Sequence, residues 1–256
     1  MATKHVRSDA LNLRSEPQTA DGNIISVLVK GQAVNTLAAT DPAGWVNVEV
    51  GFNGTALNGF VKAHLLRDPA TAAKERLMTH AVAEWLRFDK GHGPEHVAPF
   101  FTFVGEMWRA IGLALDGRDR DQPWSAAFIS WIVRRAGTEY EKFRFAAAHA
   151  RYIHDSITKR EANSPAPFWG FRLHEHKVGL GDLVCVWREV EQTYDGARES
   201  DSFFSHCDVV VEVAAGSVRA LGGNNSHSVG FHTYATNADG FLKAENQVFA
   251  VMRNNA

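Results

Sequence analysis

Four short stretches carry side chains whose types and spacing could do chemistry. In Pro-Trp-Ser-Ala-Ala-Phe-Ile-Ser-Trp (123–131), Pro123 stands where a first helical residue needs no N–H, so Ser125 falls in the first turn of a helix. A helix start leaves backbone N–H groups free at the positive end of the dipole, which favours an anionic nucleophile and a developing oxyanion. In Ser-His-Cys-Asp-Val-Val-Val (205–211), a strand period of two puts His206 and Asp208 on one face and Cys207 on the other. Asp182, in Gly-Asp-Leu-Val, either makes the turn before a strand or takes a direct part. Asn224 follows Gly222 and Gly223 and competes with Asn225 and His227, in a segment whose glycines and asparagines also make good turns.

The elements that must position these residues fall into two groups, and 256 residues suits two domains better than one. From Ala10 to Leu66 short strands alternate with turns. Leu11 and Leu13 alternate with polar neighbours before Glu16-Pro17, and Asp41-Pro42-Ala43-Gly44 is a strong turn. Trp45 to Val50 then alternates at period two, and Gly59-Phe60-Val61-Lys62 ends the series. Regular short strands of this kind predict a small barrel or sandwich. The order LNLRSEP, KGQAV, GWVNVEV and GFVKAHLL resembles the bacterial SH3 family across residues 8–67. That resemblance implies an all-β SH3-like barrel serving as a binding accessory, often for cell-wall peptides.

A linker at Asp68 to Thr71 leads into residues 72–256. Apolar spacing predicts helices over 72–88, 99–115, 124–135 and 145–159. After Gly179 the period becomes strand-like, with strands expected at 181–187, 207–213, 217–222 and 247–252, and 188–205 a polar loop. Helices first and strands later is an α+β order, with N-terminal helices packed on an antiparallel sheet.

Net charge is −2, with no basic run, which gives no reason to propose electrostatic nucleic-acid binding, and no nucleic-acid partner is expected. No apolar run is long enough to span a bilayer. Residues 1–18 show neither an apolar h-region nor a small-residue cleavage site, so the chain is expected to be cytoplasmic as synthesised, unless a signal-independent route or lysis releases it. The two cysteines, Cys185 and Cys207, are too few for a disulfide framework and are read as small core residues. His92 with His96 and His174 with His176 invite a metal, but no His-Glu-x-x-His or Cys-x-x-Cys is present, and neither metal nor cofactor is expected. His149 and His154 read as ordinary polar residues along the fourth helix.

Ser125 in its Trp-x-Ala-Ala-Phe frame, Gly181-Asp182, His206 opening an apolar strand and Gly223-Asn224 together resemble papain-like CHAP-type and NlpC-type peptidoglycan amidases. More nearly, residues 77–252 resemble an uncharacterised bacterial family related to them, domain of unknown function 2272. The resemblance implies Ser125 at the nucleophile position, His206 as base and Asn224 as the residue that orients it. Asp208 would be a substitute orienting carboxylate, Asp182 a supporting residue and Trp124 a wall of the substrate cleft.

The departure from the pattern is Ser125 itself, where those amidases carry Cys. A thiol is partly ionised near neutral pH, whereas a hydroxyl must lose its proton during attack and depends on an oriented base and an oxyanion hole. The implied function is therefore a peptidoglycan amide hydrolase, amidase or endopeptidase, with the wall or its peptide fragments as partner. Acyl transfer to an amine would use the same residues. The alternative is a non-catalytic cell-wall binding protein with a degenerate amidase-like domain. The bond cut, the delivery route, and any inhibitor or immunity partner are not legible in the residues.

Overall fold

Seven strands lie between Ala2 and Arg67 in the computed structural model, which describes residues 1–52 and 54–256. They are β1 (Ala2–Val6), β2 (Ala10–Arg14), β3 (Ile24–Val29), β4 (Ala33–Thr36), β5 (Trp45–Phe52), β6 (Thr55–Lys62) and β7 (Leu66–Arg67). Their order in one sheet is β3-β2-β6-β5-β4-β1-β7, every pairing antiparallel. The alternation read in β5 is the burial observed: Val46, Val48 and Val50 enter a core with Leu13, Leu28 and Val61. β1 precedes the expected start at residue 8. Its Thr-Lys-His has no apolar alternation, and its place comes from backbone pairing with β4 and β7.

By its contacts the chain divides into residues 1–75 and 76–256, and the division falls within α1 (Ala72–Arg87). The second unit continues with α2 (Phe100–Ala110), α3 (Ser125–Arg135), α4 (His149–Glu161) and β8 (Phe168–Phe171). Then come β9 (Leu183–Trp187), α5 (Tyr194–Glu199), β10 (Ser205–Ala214), β11 (Ser217–Asn225), β12 (Ser228–Ala235) and β13 (Val248–Asn254). The six strands form an antiparallel sheet in the order β12-β11-β10-β9-β13-β8.

Both faces of the central strands are buried, which is why their sequences run apolar without a break. Val184, Val186, Val210, Val218 and Ala220 share one core cluster. Their strand neighbours Leu183, Cys185, Cys207, Val209 and Leu221 are each 0 % exposed. α3 packs on β10 and β11, and α4 on β8 and β10.

Several expected boundaries move. α2 stops at Ala110, short of Leu115, because Gly112 turns the chain at φ +82°. α4 begins at His149, not at Phe145, and Ala148 before it is extended at φ −129°, ψ 131°. The expected polar loop 188–205 contains α5, started by the Thr193 hydroxyl accepting the Gly196 N–H. β8 and β12 were not anticipated.

Candidate active site

Ser125 is the first residue of α3, and Trp124 is the residue before the helix. No side chain caps this helix, so its first N–H groups keep their donor capacity. Trp124, 2 % exposed, stacks on Phe88 at 5.5 Å between ring centres and donates its indole N–H to the buried carboxylate of Glu95. It therefore anchors the helix start from inside. It is not among the residues that wall the cleft, contrary to the expectation from sequence.

One and a half turns along α3, Ser130 is fully buried and bonds Ala146 twice. Its hydroxyl donates to the Ala146 carbonyl at 3.0 Å and accepts the Ala146 N–H at 3.2 Å. This clamp fixes the approach to α4, whose first residue is His149. The His149 ring is thereby brought to Ser125, with Nε2 2.7 Å from Oγ. The other ring nitrogen, Nδ1, bonds the phenol of Tyr152, one helical turn on. Burial, with His206 adding to it whenever that ring is protonated, holds the His149 imidazole well below the usual histidine range, and burial pushes the Tyr152 phenol up. The start of α4 acts on the imidazole in the same direction. His149 is thus a member of the site rather than an ordinary polar helix residue.

β10 supplies the opposing groups. His206 Nε2 donates to Asp208 Oδ1 at 2.7 Å, as their shared strand face permits. Asp208 is 0 % exposed, and its second oxygen accepts His232 Nδ1 at 2.8 Å and the hydroxyl of Tyr234. Both of those residues lie on β12, where His232 pairs with Ala220. Burial alone would raise the Asp208 carboxyl, but the charge and N–H donors of His206 and then His232 outweigh it and hold the group ionised. The Asp208 hydrogen bond in turn raises His232, against its partial burial.

The expected pairings are thus rearranged. Ser125 bonds His149, and His206 is oriented by Asp208 rather than by Asn224. Asn224 lines the same cleft from β11, where a shift in the strand register leaves it left-handed at φ +56°. Asp182, 1 % exposed, is outside the cleft. Its carboxylate accepts His176 Nε2 at 2.7 Å and the N–H groups of Gly179 and Asn254 at 2.8 and 2.9 Å. It is a structural carboxylate tying a turn to the end of β13.

The cleft that Ser125, His149 and His206 share has a volume of about 410 Å³. Leu113, Leu115, Phe203 and Phe204 give it an apolar side, and Arg188 and Glu189 bring charge. Trp108 also lines it, 3 % exposed, and its indole N–H has no partner among the described residues. A larger cleft of about 840 Å³, bordered by Arg172, Tyr194 and Phe241, holds no comparable nucleophile and base.

Among the described residues, His206, Asp208 and His232 have ligand atoms close enough to hold a cation, all within 4.8 Å. The spacing is that of hydrogen bonds, with each ring nitrogen at 2.7–2.8 Å from its own carboxylate oxygen. With Tyr234 as a third donor, Asp208 has three of its roughly four lone-pair sites engaged, so the arrangement fits N–H and O–H donors better than a metal.

A family model described as "Uncharacterized protein conserved in bacteria (DUF2272)" matches residues 92–255, a span that takes in every side chain of the cleft named above. No curated protein matches the chain. The chain is similar to two solved structures from Trichomonas vaginalis, NlpC2 and NlpC1, at 13 % and 12 % identity. The likeness covers 99 % of this chain and 72 % and 69 % of those, with TM-scores of 0.31 and 0.32. Likeness of that degree says nothing about chemistry.

Proposed function

We propose that this chain, which belongs to the bacterial family described as DUF2272, is a serine-dependent amide hydrolase of peptidoglycan. It would cut a peptide bond of the wall or the amide joining glycan to peptide. The observation that carries the reading is the hydroxyl of Ser125, 2.7 Å from an imidazole nitrogen in a cleft that a second, carboxylate-backed imidazole also lines.

Ser125 Oγ attacks the amide carbonyl carbon. The oxygen of the tetrahedral intermediate gains charge beside the uncapped N–H groups of α3, where each well-placed donor contributes about 3–4 kcal/mol to the barrier. The amine leaves with a proton, and water hydrolyses the acyl-enzyme. His206 donates a hydrogen bond from Nε2–H to Asp208 and keeps Nδ1 as an acceptor, which suits it to take the proton of that water. The N-terminal seven-stranded unit is read as an SH3-type wall-binding module. Tethering such a module raises the local substrate concentration without a new catalytic contact.

The test is incubation of the purified protein with peptidoglycan, following release of amines or muropeptides, beside Ser125→Ala, Ser125→Cys and His206→Ala. Wild type is expected to release product, Ser125→Ala and His206→Ala to lose at least a hundredfold, and Ser125→Cys to retain part. Wall pelleting with no release would end the hydrolase reading in favour of a binding protein.

A further inference from the structure

We propose that His149 is the base that takes the proton of Ser125, and that a buried hydrogen-bond chain through Tyr152, Cys207 and Cys185 fixes the tautomer this requires. The proposal rests on the serine-hydrolase reading and divides the acid–base work between two imidazoles.

A base at Nε2 must present a lone pair there, so the ring hydrogen has to sit on Nδ1. Nδ1 faces the phenol of Tyr152. Beyond burial, Cys207 raises the Tyr152 phenol and Tyr152 in turn lowers the Cys207 thiol, the pattern of a phenol that donates towards sulfur. Cys207 Sγ lies 3.5 Å from Cys185 Sγ, directly across the β9–β10 pair, and Cys185 Sγ lies 4.0 Å from the carbonyl of Leu183. Tyr152 is 1 % exposed and both thiols are 0 % exposed.

The last member of this chain decides its direction, because a carbonyl oxygen accepts and never donates. Cys185 S–H therefore points to Leu183, Cys207 S–H to Cys185, and Tyr152 O–H to Cys207. The phenol oxygen is left to accept Nδ1–H of His149, and Nε2 is left with the lone pair to which Ser125 O–H donates. The opposite polarity would put the hydrogen on Nε2, make Ser125 the acceptor and leave no base on it.

The proton balance is closed. As the Oγ–C bond forms, the Ser125 proton passes to His149 Nε2. As the C–N bond breaks, the imidazolium returns that proton to the leaving nitrogen. In the second step the water proton goes to His206 Nδ1 while the hydroxide adds to the carbonyl carbon. Ser125 Oγ departs and takes that proton from His206. Burial keeps His149 neutral at pH 7 and ready to accept. Tyr152 is a positioning residue, acting through the ring it holds.

Covalent labelling of Ser125 by a small fluorophosphonate isolates the first step, and Ser125→Ala is the blank. His149→Gln keeps a polar group of similar reach but cannot take a proton, and it is expected to slow labelling at least a hundredfold. Tyr152→Phe leaves the imidazole in place and is expected to slow labelling about tenfold. His206→Gln should be labelled faster than His149→Gln yet fail in steady-state release. Long-range 15N correlation spectra of the wild-type protein, which need no variant to fold, are expected to show the His149 hydrogen on Nδ1.

Labelling of His149→Gln at the wild-type rate, or a wild-type hydrogen on Nε2, overturns the assignment. Rapid labelling without muropeptide release, with the other results as expected, leaves the base in place and ends the peptidoglycan reading. A wild-type protein that does not label overturns both.

Discussion

The carboxylate of Asp208 lies against the bare α-carbon of Gly222: a Cβ there would fall 1.8 Å from Oδ1 and 2.8 Å from His206 Nε2. The groove that admits the carboxylate between two imidazoles exists because β11 has no side chain at that position. Gly222→Ala is expected to displace Asp208, cost about 1–3 kcal/mol of stability and abolish measurable release. Thermal denaturation and the muropeptide assay, run side by side, check both.

Asp208→Asn keeps the shape of the carboxylate and removes its charge. One oxygen now serves two ring N–H groups, and the new amide opposes one of them. A loss of about a hundred- to ten-thousandfold in kcat is expected, of the order found when a charged orienting residue becomes its amide. Asn224→Ala, which makes no bond to His206, should lose no more than a few-fold. Steady-state rates at pH 7 separate the two, and the reverse ranking would return the orienting role to Asn224.

Stability should depend on pH through His149 and His232 with opposite signs. Burial depresses His149, so below about pH 6.5 the unfolded chain binds a proton that the native chain refuses. Stability then falls with pH by about 1.4 kcal/mol per unit for that one group. His232 is raised by Asp208, so its contribution is full below about pH 6.5 and is lost as pH rises through its folded value. Urea denaturation from pH 5 to 8 should show a shallower acid slope in His149→Gln and a shallower alkaline slope in His232→Gln.

The Trp108 indole N–H is a buried donor without an acceptor among the described residues, on the wall of the cleft. Leaving such a group unpaired costs about 1–3 kcal/mol. Trp108→Phe is expected to be at least as stable as wild type and, where substrate supplies the acceptor, to raise KM more than it lowers kcat. A melting curve and a substrate titration test the two halves separately.

Much of this site was legible because local rules dictated it. Ser125 does open a helix, although Pro123 stands two residues before it rather than at its first position, and strand alternation put His206 beside Asp208 and Cys207 away from both. His149 was not legible, because its role comes from a tertiary clamp, Ser130 on Ala146, that leaves no periodic trace. The β11–β12 hairpin hid His232 and Tyr234 for another reason. It turns at Ser226 and His227, with φ of +50° and +65°, where glycine or asparagine is the usual signal. Bonds from His227 to Glu95 hold that turn, the ring at 3.0 Å and the carbonyl at 2.8 Å. Residues more than a hundred positions apart in sequence thus decide where the strand begins.

The double bond between Ser130 and Ala146 has a mechanical side as well. It acts as a pivot from which the His149 ring is carried on an arm only three residues long. On so short an arm, a rocking of α4 by about ten degrees displaces the ring by about an ångström, against a helix rise of about 1.5 Å per residue. An ångström is enough to break the 2.7 Å contact between imidazole and hydroxyl, so the breathing that the site tolerates is set by how stiffly Ser130 holds Ala146.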